Sequence, residues 1–272
     1  MKAFIIKFIL PIVIISSIIL SFPNSVSAQA NTNDKLLMSV AWFQNAPEMT
    51  ALYYQGFNLA RERLDEYIAA NKQSKPLAVV VDIDETMLDN SAYEVSLINY
   101  DDDQTGWYNW TTKAKAKALP GALEFAKYAE SRQVQIFYIT NRDNNEHAAT
   151  VQNLKNEGFP FATDDHVLTK SDLSYSSGNT SSKAGRRAKV SESHEIVLLI
   201  GDNLNDFSEV FEDRKINNGK DAADKNRELF GHKFIILPNP MYGAWEKPLY
   251  DYRNDLNNEE QTRLLKSKLK TE

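Results

Sequence analysis

The sequence predicts an α/β protein: a mainly parallel, Rossmann-like sheet with helices on both faces, an N-terminal helical segment before it and a lid or cap insertion within it. Three observations predict this. Short, wholly apolar runs, Leu77–Val81 foremost, have the unbroken character of strands buried on both faces. Segments of helical spacing fall between those runs, so strand and helix alternate. Acidic and polar residues gather just past the ends of the runs, at the edge where open parallel sheets hold their ligands.

The elements follow in order. Residues 29–75 are expected to form an N-terminal helical segment. After a polar lead, Asn45-Ala-Pro47-Glu48 has the form of a helix start, with Asn as N-cap and Pro in the first turn. Met49, Leu52, Tyr53, Leu59, Leu64, Tyr67 and Ile68 recur at helical spacing to about Ala70, and Tyr53, Tyr54 and Phe57 are read as packing residues. The core is expected over 76–250. Its first strand, Leu77–Val81, runs into Asp82-Ile-Asp84-Glu-Thr86. Residues 87–119 show no clear period and are expected to be a functional loop or lid. Within them, Asp101 to Asp103 read as a solvated acidic loop.

Pro120 opens a helix, Val134–Ile139 is a second strand ending in Thr140-Asn-Arg142, and 146–156 is a helix closed by Gly158. His147 on that helix reads as a capping or solvent-facing side chain. His166–Thr169 is a short strand, 171–182 a Ser/Gly/Asn-rich loop, and Lys183 opens a further helix. Ile196–Ile200 and Lys233–Leu237 are the remaining strands, with a partly helical charged stretch at 212–228 between them. The C-terminal tail, 251–272, is expected to be helical.

Composition narrows the chemistry. There is no cysteine, which excludes disulfides, thiolate metal sites and cysteine nucleophiles. The formal net charge is −6, and no basic surface is evident; Lys113, Lys115 and Lys117, like the Arg186-Arg187 pair, read as solvated helix faces. No nucleic-acid partner is expected. At the N-terminus a basic start, an apolar Phe8–Leu20 and the small-residue pattern Val26-Ser-Ala28 read as a signal peptide over 1–28. A secreted, periplasmic or cell-envelope location is therefore expected, with no stable membrane anchor. The oligomeric state stays open, a homodimer included.

The strand ends carry the chemistry: Asp82 with Asp84, Thr140, Lys183 at a helix start, and Asp202 with Asp206. Carboxylates at the end of an apolar strand are costly unless a cation joins them, and a divalent metal is the simplest candidate. Asp202 and Asp206 are four apart, so a helix beginning between them lets both reach one ion. This inventory suits phosphoryl transfer. A carboxylate can act as nucleophile, a second carboxyl can give and take a proton, and a hard cation, a hydroxyl and an ammonium can hold the phosphoryl oxygens.

Asp82-Ile-Asp84-Glu-Thr86 followed by Leu88 resembles the first signature of the haloacid dehalogenase superfamily of phosphatases. Thr140, Lys183 and Gly201-Asp202-Asn-Leu-Asn-Asp206 resemble the other three. The phrases around Asp82 and Asp202 look like those of bacterial class C acid phosphatases, a group that includes lipoprotein 5′-nucleotidases. The resemblance runs from about Trp42 to Trp245. It implies Asp82 as nucleophile and Mg²⁺ ligand, and Asp84 as general acid/base that also gives its main-chain carbonyl to the metal. Asp202 becomes a direct ligand, and Asp206 sits beside it. Thr140, Asn141 and Lys183 hold phosphate, and Trp107 and Tyr242 match the aromatics that sandwich a base. The substrate implied is a small phosphate ester, nucleoside monophosphates prominently. The lipid-attachment cysteine of many members is missing here. A non-catalytic surface binding or storage protein on the same fold is the alternative.

Overall fold

The computed structural model describes residues 34–70, 75–99, 104–170 and 181–271. The expected signal peptide, the Asp101–Asp103 loop and most of the 171–182 loop lie outside them.

Five strands form one parallel sheet: β1 (Leu77–Val81), β4 (Gln135–Ile139), β5 (Val167–Leu168), β6 (Glu195–Gly201) and β7 (Phe234–Ile236), in the order β5-β4-β1-β6-β7. β1 lies at the centre, with all five residues buried. Val79 and Val81 face one apolar cluster, and Ala78 and Val80 face the other. Alternate residues of one strand thus feed two layers, as the unbroken apolar run requires. Helices α1 (Asp34–Asn45), α2 (Pro47–Ala70) and α5 (Ala122–Ser131) contribute to the first layer, where Phe57 and Phe125 approach to 5.7 Å between ring centres. On the opposite side Val190 of α7 (Ala184–Ser193), with Phe207, Phe211 and Phe234, makes the second. Further helices are α6 (His147–Glu157), α8 (Lys220–Lys225) and α9 (Asn258–Lys268).

The chain builds outward from β1 to β4 and β5, then crosses back to build β6 and β7 on the other side. That reversal opens a crevice at the carboxyl ends of β1 and β6. Asp82 follows β1 directly, and Asp202 follows β6.

Several sequence expectations need correction. The polar lead holds α1, whose Leu36, Val40 and Phe43 are buried at helical spacing. Asn45 is therefore no N-cap: it ends α1, and its Nδ2 donates to the Ala41 carbonyl at 2.9 Å, while Pro47 does begin α2. Residues 87–119 are not irregular in their described part. They carry β2 (Leu88–Asp89) paired antiparallel with β3 (Lys117–Ala118), and helices α3 (Ser91–Asn99) and α4 (Gln104–Thr111). Helices of 9 and 8 residues are too short for a period to show through mixed aromatic and polar composition. Arg186 and Arg187 are not solvated: they are 1% and 8% exposed. Tyr53 and Phe57 pack as expected, but Tyr54 is exposed. His147 serves structure, its Nε2 lying 3.0 Å from the Val167 carbonyl.

Candidate active site

After β1 the backbone turns sharply. Glu85 adopts φ 55°, a left-handed conformation costly for a non-glycine residue, and is completely buried. Its surroundings hold it there. The Glu85 carbonyl accepts from the Tyr53 hydroxyl of α2 at 2.5 Å, and its Oε1 accepts from the Asn90 main-chain N–H at 2.7 Å. The Tyr242 hydroxyl donates to Oε2. Burial, then the nearby Asp84 and Asp202, push the Glu85 carboxyl well above the usual carboxylate range, which suits a hydrogen-bonded interior acid. The turn sends Asp82 and Asp84 toward the crevice from either side of Ile83.

Asp82, Asp202 and Asp206 each place a carboxylate oxygen within 4.8 Å of the others. Asp202 and Asp206 reach this point because a short 3-10 turn, Leu204–Asp206, starts just after β6. Asp206 Oδ2 accepts from the Asn203 N–H at 3.0 Å, closing that turn. Gly201 makes room for it: a Cβ there would lie 2.3 Å from Asp206 Oδ2 and 2.7 Å from its Cβ. Asp202 Oδ2 accepts from Asn239 Nδ2 at 2.8 Å.

Lys183, buried at the start of α7, bridges two of the three carboxylates. Its Nζ donates to Asp82 Oδ1 and lies 2.7 Å from Asp206 Oδ1. Burial works against the ammonium, but Asp206 and Asp82 more than offset it, so the Lys183 pKa is raised. Ionised together, three carboxylates against one ammonium would leave a double negative charge in a largely desolvated place. The strain shows in the acids. Burial pushes the Asp82 carboxyl well up, Lys183 draws it back, and Asp206 and Asp202 push it further. Asp202 is pushed up to about 7 by burial and by Asp206. Oxygen-only donors with this charge balance fit a hard divalent cation.

Asp84 stands apart from that cluster. Arg142, almost fully buried, grips it: Nη2 to Oδ1 is 2.7 Å and Nε to Oδ1 is 3.0 Å. Asn90 Nδ2 donates to the same oxygen at 2.9 Å. Among the described residues Oδ2 has only longer contacts, 3.2 Å from Thr140 Oγ1 and 3.3 Å from Arg142 Nε. Any part Asp84 takes in holding a metal would run through its main-chain carbonyl.

A cavity of about 490 Å³ opens over these groups, and Asp82, Asp84, Asn141, Lys183, Trp107 and Tyr242 all line it. All nine sequence-predicted side chains thus converge: Asp206 also lines the cavity, Asp202 joins through the carboxylate cluster and Thr140 through its bond to Asp84. Thr140 itself is fully buried. Asn141 is oriented from behind: Arg186 Nη2 donates to its Oδ1 at 2.8 Å, which leaves its amino group for the cavity. Trp107 packs edge-on against Tyr93 at 5.1 Å and lies 5.8 Å from the Arg142 guanidinium.

Sequence reasoning missed Glu85, Asn90, Arg142, Arg186, Asn239 and Tyr53. Arg142 had a signal, a cation two residues past the end of a buried strand. Asn239 and Tyr53 had none, since only the tertiary fold brings them to the turn.

A family model described as HAD superfamily, subfamily IIIB (Acid phosphatase) matches residues 21–245. Among solved structures, the class C acid phosphatase from Bacillus anthracis is similar at 41% identity and a TM-score of 0.80, over 88% of this chain and 98% of that one. A crystal structure of the class C acid phosphatase from the same organism with tungstate bound is similar at 40% identity, with the same TM-score and coverage.

Proposed function

Since the chain belongs to the acid phosphatases of haloacid dehalogenase subfamily IIIB, and is thus a phosphomonoesterase, we propose that it is a secreted, Mg²⁺-dependent enzyme acting on small phosphate esters, nucleoside monophosphates among them. The observation that carries this reading is the meeting of three carboxylates from two strand ends beside one buried ammonium, under a cavity large enough for a nucleotide.

In this reading Asp82, Asp202 and Asp206, with the Asp84 carbonyl, hold the metal. When bound, Mg²⁺ offsets the negative charge that would otherwise keep a carboxylate from a phosphate. The Asp82 carboxylate attacks phosphorus, the ester P–O bond breaks, and the departing oxygen takes a proton from Asp84 Oδ2. Water then attacks the aspartyl phosphate and gives its proton to Asp84, releasing inorganic phosphate and restoring Asp82. Lys183 and the Asn141 amino group donate to the phosphoryl oxygens. Thr140 keeps Asp84 in place through its hydroxyl. The tungstate bound by the Bacillus anthracis protein is a tetrahedral oxyanion of phosphate-like shape, which supports phosphate binding by this chain too.

Trp107 and Tyr242 come to the cavity from different parts of the chain, supporting a slot for a flat ring. Secretion rests on the basic, apolar and small-residue succession over 1–28; among the described residues no helix is long and apolar enough to cross a membrane.

The test is phosphate release by the purified protein from 4-nitrophenyl phosphate and a panel of nucleoside monophosphates, with EDTA or Mg²⁺. Activity restored by Mg²⁺ and abolished in Asp82→Asn is expected. Undiminished turnover in Asp82→Asn would remove the nucleophile assignment. Mass spectrometry of the protein recovered from its native host, reading the first residue, tests cleavage after Ala28.

A further inference from the structure

Two side-chain amides, Asn203 and Asn205, stand on the cavity wall beside the carboxylate cluster. A third residue fixes which way they point. Arg214, 7% exposed, directs its Nη2 to both amide oxygens, at 3.0 Å to Asn203 Oδ1 and 3.0 Å to Asn205 Oδ1. A guanidinium only donates, so each amide must turn its oxygen to Arg214 and its amino group away. The Asn205 main-chain N–H donates to Asn203 Oδ1 at 3.2 Å and fixes the Asn203 amide independently. Arg214 is itself tied down, its Nε donating to the Phe211 carbonyl at 3.2 Å.

Among the described residues neither amino group donates a hydrogen bond. Both residues are only part-buried, so these donors are open to whatever fills the cavity. Their place along it is defined. Asn203 caps the turn that ends at Asp206, Asn205 lies within it, and a Cβ on Gly243 would lie 3.3 Å from Asn203 Nδ2. The pair therefore stands between the carboxylates and the strip carrying Tyr242. Donors for the phosphoryl oxygens, Lys183 and Asn141, come from other loops. An ester bound with its phosphorus at Asp82 and a ring at Tyr242 would lay its connecting portion along these amides.

We propose that the Asn203–Asn205 pair, aimed by Arg214, determines specificity by donating hydrogen bonds to oxygens of the leaving group, and so favours hydroxylated leaving groups such as the sugar of a nucleotide. Arg214 is a positioning residue in this scheme. The proposal rests on the phosphatase reading above.

The experiment compares kcat/KM for adenosine 5′-monophosphate and its 2′,3′-dideoxy analogue in wild type, Asn205→Ala and Asn205→Asp. Asn205→Asp keeps an oxygen for Arg214, and with it the fold, but removes the amino donor. Wild type should favour the hydroxylated substrate by about tenfold, the effect of one net hydrogen bond. Both variants should bring that ratio to within about twofold of one. Arg214→Met should lower it similarly, with no further change on adding Asn205→Ala. An active wild type whose ratio is near one overturns the proposal, as does a ratio that both Asn205 variants preserve. A wild type that releases phosphate from no ester, 4-nitrophenyl phosphate included, brings down the parent reading instead.

Discussion

Replacing Asp202 with Asn should flatten the pH dependence of stability in the metal-free protein. The carboxyl is raised from 3.8 to about 7, first by burial and then by Asp206. A rise of about three pH units at about 1.4 kcal/mol each sets a ceiling near 4 kcal/mol. Asp202 is only half-buried, so solvent screening reduces this to about 2 kcal/mol. The folded state holds this proton more tightly than the unfolded chain does. The contribution is therefore complete below pH 3.8 and is lost as pH rises through about 7. Asparagine has no such proton, and its amide oxygen can still accept from Asn239.

Between pH 4.5 and 7.5 in EDTA, wild type should lose about 2 kcal/mol relative to Asp202→Asn, roughly 4–8 °C in melting temperature. A cation selects the ionised carboxylate, so stabilisation by Mg²⁺ should grow with pH in wild type and be weak in the variant. Calorimetric melts of both proteins across this range, with EDTA and with Mg²⁺, provide the measurement. A melting-temperature difference in EDTA that stays constant with pH would refute the reasoning, because it would mean burial does not hold the proton on Asp202.

Three further outcomes are expected. Asp84→Asn should lower kcat by about 10²–10⁴ with KM little changed, since it removes a proton transfer; steady-state kinetics showing a raised KM at full kcat would count against that role. Tyr242→Ala should weaken nucleotides relative to 4-nitrophenyl phosphate, whereas Tyr242→Phe should keep the preference but lose about 1–2 kcal/mol in urea melts, because Glu85 loses a buried hydrogen bond. Gly201→Ala should lower Mg²⁺ affinity by about tenfold or more in calorimetric titration, because its Cβ displaces Asp206; unchanged affinity would mean the turn yields freely.

The sheet and the acidic cluster were legible because both are written locally. β1, β4, β6 and β7 are continuous apolar runs, and Asp82 and Asp202 directly follow two of them. Gly158 closed its helix as expected, with φ 83°. What stayed hidden depends on distant partners. Arg186-Arg187 looks like a solvated pair until tertiary packing shows Arg186 donating to the Thr140 carbonyl and Arg187 Nη1 to the Asp206 carbonyl at 3.0 Å. Each arginine holds a loop that carries candidate site residues, and no local pattern encodes that. α1 was hidden for another reason: Leu37 and Met38 are exposed beside the buried Leu36, which blurs its apolar face.

The bond from Tyr53 to the Glu85 carbonyl ties the sharpest bend of the reaction centre to a residue some thirty positions upstream. Trimming a recombinant product to start at β1, a natural choice for anyone delimiting the enzyme by its signature sequences, would amputate that brace along with the buried rings of Phe43 and Phe57. Constructive shortening of this chain has to stop before α1.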